Sequence, residues 1–120
     1  MGSKMVKLHR VYYNSLMSLK ENQREVDEFI SQLKVGYFKP LEILTRLTEE
    51  VGEVARELNH MYGPKKKKPT EDTADLGGEL ADVIYTIVCL ANSQNIDLDE
   101  AWGKMMDKIN SRDKDRWEKK

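Results

Sequence analysis

The sequence predicts an all-α protein, a bundle of four to five helices completed by homo-oligomerisation. Three observations carry that reading. Apolar residues recur at three- and four-residue spacing over long stretches, and no run alternates in polarity as a strand would. The three prolines and seven glycines are few and fall where helices would start or stop. Charged residues make up 34% of the 120 residues against 39% hydrophobic ones, which suits amphipathic helices wrapped in charge.

Residues 1–17 include Val6, Leu8, Val11, Tyr12, Leu16 and Met17 without one apolar face, and read as an N-terminal arm or short helix. Met1 to Lys4 lack the apolar core of a signal peptide and are compatible with a vector-derived remnant. The domain proper is expected over 18–120. Ser18 with Glu21 is a capping-box pair opening a helix on which Val26, Phe29, Ile30 and Leu33 repeat, with Gly36 as its expected end. Pro40 suits the first turn of a second helix, where its missing N–H costs nothing. That helix should run to about Met61 with Leu44, Leu47, Val51, Val54 and Leu58 as its apolar stripe, and Gly63-Pro64 stops it. The lysines from Lys65 to Lys68 and the polar residues after them read as a solvated connection. A third helix, from about Ala74 to Ser93, is the most apolar segment and should lie at the centre. It carries too much apolar surface for one layer of helices to cover, so pairing of identical chains is expected. Asp97 and Glu100 cap a fourth helix with Ala101, Met105 and Ile109, followed by a charged tail from Ser111 that holds Trp117.

Composition narrows the function. Twenty Lys and Arg against 21 Asp and Glu give a net charge of −1, which argues against a general polymeric nucleic-acid surface. The single cysteine, Cys89, sits in an apolar run and reads as a small buried hydrophobe. The longest apolar stretch, Val83 to Ala91, is far short of a bilayer span, so no membrane association and a cytoplasmic location are expected.

The chemistry lies in two acidic segments. The second helix holds Glu49, Glu50 and Glu53, and the third holds Glu79 and Asp82. At 100° per residue the first three span an arc of about 100° beside the apolar stripe, rather than opposite it. If the two helices pack antiparallel, both sets can face one cleft. Converging carboxylates repel one another unless a cation sits between them, and hard oxygen ligands without paired His or Cys favour Mg²⁺, with Mn²⁺ as a substitute. The plainer alternative is an acidic surface face answered by Arg46 and Arg56. It explains one Glu-rich helix better than it explains a second acidic pair on a very apolar one. A competing pattern, Glu57-x-x-His60, has the spacing of di-iron carboxylate bundles but occurs once where two copies are normally needed. A C-terminal capping role for His60 is the simpler account.

Glu49-Glu50-x-x-Glu53, followed after a loop by Glu79-x-x-Asp82, resembles the metal motif of MazG-like nucleoside triphosphate pyrophosphohydrolases. The resemblance runs from about Lys20 to Trp117. It takes in Gly36-Tyr37-Phe38-x-Pro40 and the closing segment from Lys108 through Arg116-Trp117. It implies hydrolysis of a (deoxy)nucleoside triphosphate to the monophosphate and pyrophosphate, in a nucleotide-pool house-cleaning role. It also implies a homodimer or a dimer-of-dimers tetramer. Carried over by position, Glu50, Glu53, Glu79 and Asp82 would hold Mg²⁺, and Glu49 would orient or deprotonate the attacking water. Lys108, Asn110, Arg112 and Arg116 would bind the outgoing pyrophosphate. Phe38, with Tyr37 and Phe29 nearby, offers a surface on which the base could stack, against ordinary core packing as the plainer role. Trp102 and Trp117 suit an interface between copies equally well. The alternative function, of a different class, is a non-catalytic helical adaptor that senses metal or nucleotide.

Overall fold

Helix α1 spans Leu19–Ile30, α2 Pro40–Tyr62, α3 Leu76–Ser93 and α4 Leu98–Asp113 in a computed structural model that describes residues 18–70 and 75–120. No strand occurs among the described residues. The arm expected over residues 1–17 and the helix start expected at Ala74 lie outside them. No helix is long and apolar enough to cross a membrane among the described residues.

The helix starts follow from local chemistry. The first N–H groups of a helix have no intrahelical acceptor, and short polar side chains supply one. Ser18 Oγ accepts from the Glu21 N–H at 3.3 Å. Asp75, a cap the sequence reading passed over, accepts from the Gly78 N–H at 2.6 Å and opens α3. Asp97 accepts from the Asp99 and Glu100 N–H groups at 3.0 and 3.3 Å. The bond from Glu100 is the main reason its carboxyl is held below the usual range. Helix α2 begins without a side-chain cap, on Lys39 and Pro40.

Two boundaries differ from expectation. Helix α1 stops at Ile30 rather than near Gly36. Beyond it the Gln32 and Leu33 N–H groups turn to carbonyls three residues back, and the Ser31 hydroxyl and Gln32 amide both donate to the Glu28 carbonyl. These tighter turns end the α-helical ladder. Gly36, at φ +63°, supplies the left-handed step that turns the chain toward Tyr37 and Phe38. At the other end α4 continues to Asp113, so Lys108, Asn110 and Arg112 sit on a helix.

Helix α3 is central, as expected. It packs against both α2 and α1, while α1 also meets α4. The buried apolar residues are Ile30 of α1, Ile43 of α2, and Val88 and Ala91 of α3. The face that α2 turns inward keeps only part of the predicted stripe, with Leu47 and Val54 half-buried on it. Ile43 and His60 are buried and Glu50 and Glu57 half-buried, whereas Leu44, Val51 and Leu58 remain 40% to 51% exposed. A helix flanked by one neighbour can bury only one side, and here the side chosen brings acids toward α3.

A polar network locks α1 to the far end of α3. The buried Gln23 side chain donates to the Asn92 Oδ1 at 2.9 Å and to the Ile96 carbonyl at 2.7 Å, and accepts from the Leu98 N–H at 2.9 Å. Asn92 Nδ2 donates to the Gln23 carbonyl and to the Tyr37 hydroxyl, each at 2.9 Å. The Tyr37 hydroxyl in turn donates to Asp27 at 2.8 Å. Burial, with help from the Asp27 bond, pushes the Tyr37 phenol up to about 12. Every member is satisfied by another, so removing one strands the rest. Asn92→Ala should therefore lower unfolding free energy by about 1 to 3 kcal/mol. Urea denaturation at matched protein concentration checks this, and a loss below the measurement error would show the network to be idle.

Candidate functional site

Glu50 lies near the middle of α2, and Glu79 and Asp82 lie in the first two turns of α3. Because α3 runs back along α2, one carboxylate oxygen from each of the three falls within 4.8 Å of the others. That is close enough for one cation to touch all of them. Glu79 retains only 9% of its exposure. Its carboxyl is raised above the ordinary range, first by burial and then by the charges of Glu53, Asp82, Glu50 and Glu57. An acid held in that condition is under-compensated. Three hard oxygen donors with no sulfur or imidazole among them suit Mg²⁺ or Mn²⁺ far better than Zn²⁺.

The other predicted acids take different places. Glu53 is near enough for its charge to act on Glu79, yet it is half exposed and pairs with Arg56 at 3.6 Å. Glu49 is exposed on α2 and lies outside the three-carboxylate group. Glu57 faces the same region and makes an ion pair with Lys67 at 3.3 Å. Lys67 is therefore a departure from the solvated run expected of Lys65 to Lys68. Its side chain is 27% exposed, while the other three lysines are exposed. His60 is buried in the last turn of α2 and joins no group of three potential metal ligands among the described residues.

A cleft of about 450 Å³ opens beside the carboxylates. Glu50 and Asp82 form its acidic end, Phe29, Leu33, Val35, Phe38 and Ile43 line its apolar end, and Arg46 stands between Ile43 and Glu50 along α2. Tyr37, pinned by Asp27 and Asn92, forms part of the wall. Phe29, Tyr37 and Phe38, singled out for stacking, thus share one cavity with two of the predicted metal ligands.

The basic residues near the C-terminus are not brought there. Helix α4 packs against α1. Arg112 and Arg116 pair with Asp113 at 3.1 and 3.5 Å, and Arg116 lies 5.4 Å from the Trp117 ring centre. No hydrogen bond or ion pair joins Lys108, Asn110, Arg112 or Arg116 to the carboxylate group among the described residues.

Sequence reading missed the polar wall of the cleft. Tyr85, Thr86 and Cys89 line it together with Arg46. Cys89 is half-buried rather than enclosed in a core, and burial raises its thiol. The available signal was spacing alone, since Asp82, Thr86 and Cys89 fall at helical intervals on the face that carries Glu79.

The geometry agrees with what the chain resembles. Residues 38–117 match the model of the MazG nucleotide pyrophosphohydrolase domain. The curated protein YpjD of Bacillus subtilis strain 168 is 54% identical over 103 residues, covering 86% of this chain and 93% of YpjD. The crystal structure of YpjD from Bacillus subtilis superimposes with a TM-score of 0.70 at 52% identity, over 78% of this chain and 96% of that one. A second crystal structure, of a Bacillus-conserved MazG protein described as a nucleotide pyrophosphohydrolase, gives a TM-score of 0.70 at 47% identity, over 82% and 96%. With a domain match over 80 residues, a relative 54% identical across most of both chains and the same helical fold, the chain belongs to the MazG family of nucleotide pyrophosphohydrolases.

Proposed function

We propose that the protein hydrolyses nucleoside or deoxynucleoside triphosphates to the monophosphate and pyrophosphate, with Mg²⁺ as cofactor and Mn²⁺ able to replace it. The carrying observation is the meeting of Glu50, Glu79 and Asp82 within 4.8 Å at one end of a cleft whose other end is apolar. A triphosphate carries about four negative charges, so it approaches carboxylates only where a cation intervenes. The bound ion would supply charge compensation for the phosphoryl oxygens and the attacking water. Glu50, Glu79 and Asp82 would hold it, and Glu53 could join them by releasing Arg56. Glu49, one residue ahead of Glu50 and exposed, is suited to accept a proton from water. Phe38 and its aromatic neighbours would exclude water around the base. The roles of Lys108, Asn110, Arg112 and Arg116 toward pyrophosphate rest on the family resemblance, and their present partner Asp113 would have to yield the two arginines.

The same reading includes a homo-oligomer, a dimer or a dimer of dimers, working on the cytoplasmic nucleotide pool. Leu44, Val51 and Leu58 on α2 and Leu80, Ile84 and Ile87 on α3 are 39% to 51% exposed. Two apolar rows on adjoining helices are more than an isolated chain would leave in water. Light scattering at micromolar concentration should find no monomer, and a mass near the chain's 14.0 kDa would refute the association.

Turnover is tested with a panel of NTPs and dNTPs, assaying phosphate with and without added inorganic pyrophosphatase. Phosphate should appear only with the added enzyme, alongside a nucleoside monophosphate. Glu53→Gln and Asp82→Asn should each abolish it at unchanged helicity, and wild-type rates in both would place the site elsewhere.

Glu79 provides a test that needs no turnover. Its raised pKa means that the folded chain binds this proton more readily than the unfolded one, so without metal its contribution to stability falls as pH rises. Glu79→Gln should therefore melt above wild type at neutral pH without metal, with the advantage vanishing as pH falls and Glu79 is protonated. Divalent cation should raise the melting temperature of wild type and not of the variant. For wild type the linkage is worth about 2.7 kcal/mol at a hundredfold excess over Kd. An equal shift in both proteins would remove Glu79 from the metal site.

A further inference from the structure

Arg46 sits one helical turn before Glu50, with Nη2 3.9 Å from the Glu50 Oε1. This is the loose limit of an ion pair, and the two side chains differ sharply in exposure, 59% for Arg46 against 19% for Glu50. Arg46 is also a wall residue of the cleft, between the carboxylates Glu50 and Asp82 and the apolar end at Phe38 and Ile43. Tyr85 on the facing helix lines the same cleft, so Arg46 shares the cavity with α3 as well as with its own helix. A surface pair of this kind contributes little to stability. A guanidinium at the junction of an acidic and an apolar region is better explained by what passes between them.

Building on the pyrophosphohydrolase reading, we propose that Arg46 is a substrate-binding residue that exchanges partners. It rests on Glu50 when no cation is bound and takes the non-bridging oxygens of the nucleotide's α-phosphate once Glu50 holds one. The argument is one of order along the cleft. The base belongs at the apolar end and the cation at the acidic end, and the α-phosphate is the group that joins nucleoside to phosphate chain. It therefore lies at the junction, where Arg46 is. A cation on Glu50 neutralises the charge that keeps Arg46 there and repels the guanidinium, while the arriving phosphate offers two oxygens that match its planar fork. The exchange costs little because the starting contact is long and open to solvent. The α-phosphate stays with the nucleoside after cleavage, so Arg46 would hold the monophosphate product as well.

The experiment compares wild type, Arg46→Gln and Arg46→Lys by Mn²⁺ titration, then by binding of nucleoside monophosphates and of the corresponding nucleosides in the presence of Mn²⁺. Arg46→Gln should bind Mn²⁺ at least as tightly as wild type, because a competing cation has been removed from Glu50. Its Kd for monophosphates should rise tenfold or more for every base, with nucleoside binding within twofold of wild type. Arg46→Lys should recover part of the loss through its charge. Monophosphate affinity within twofold of wild type in Arg46→Gln would overturn the proposal, as would loss of Mn²⁺ binding in that variant. A loss confined to one base would overturn it too, since Arg46 would then be reading the base. Failure of wild type to bind Mn²⁺ and nucleotide would remove the pyrophosphohydrolase reading itself and this inference with it, which separates the two failures.

Discussion

The structure depends on one electrostatic compromise. Packing α3 back along α2 places Glu79 among Glu50, Asp82, Glu53 and Glu57, and it does so at a nearly buried position. A chain that wanted only stability would put an apolar residue there, since an under-compensated buried acid is costly. The remaining charges have been arranged to limit that cost without removing it. Arg46, Arg56 and Lys67 each stand within 4.0 Å of one α2 glutamate, yet no ion pair reaches Glu79 or Asp82 among the described residues. Glu50, Glu53 and Glu57 of α2 thus have resident cations, and Glu79 and Asp82 of α3 have none among the described residues. Departures from the stability optimum of this sort concentrate at functional sites.

That arrangement needs a rigid frame, and the polar network supplies one from outside the site. Gln23 ties α1 to the turn between α3 and α4, Asn92 carries the connection to Tyr37, and Gly36 sets the direction in which Tyr37 enters. The Tyr37 hydroxyl both donates to Asp27 and accepts from Asn92, so its ring is fixed as a cleft wall and its polar group is already committed. The network lies at one end of α3 and the carboxylates at the other, with Thr86 and Cys89 between them, so a single helix registers both.

How much of this was legible in the sequence varies with the range of the interaction involved. Capping at Ser18 and Asp97, the start at Pro40 and the stop at Gly63 are local and were readable from residues three or four apart. The acidic set was readable because carboxylates on the flank of an apolar stripe are unusual, and three of its five members meet in space. The inward face of α2 was readable only in part. Leu47 and Val54 of the apolar stripe do lie inward, but only knowledge of which neighbours the helix has shows that Ile43, Glu50 and His60 join them while Leu44, Val51 and Leu58 stay exposed. Asn92 and Gln23, 69 residues apart in sequence, carry no pattern that links them. The end of α1 at Ile30 depends on competition for the Glu28 carbonyl, which a periodicity of apolar residues does not record.

The rotation of α2 relative to the predicted stripe has a consequence for the site. Had Leu44, Val51 and Leu58 packed on α3, Glu50 and Glu57 would have turned toward water and away from Glu79. The sequence keeps both faces of α2 usable by giving each its own periodic row, one apolar and one mixed. Burial of the mixed row against α3 is tolerable only if the apolar row finds cover elsewhere, because the few buried residues Ile30, Ile43, Val88 and Ala91 make a small core for a chain of this size. The acidic centre and the exposed apolar surface are therefore two sides of one choice of helix rotation. A substitution that fills the α2–α3 seam with an apolar residue at Glu50 would stabilise the single chain and remove the same charge that draws a cation to the cleft, so stability of the isolated chain and metal binding are expected to trade against each other at this seam.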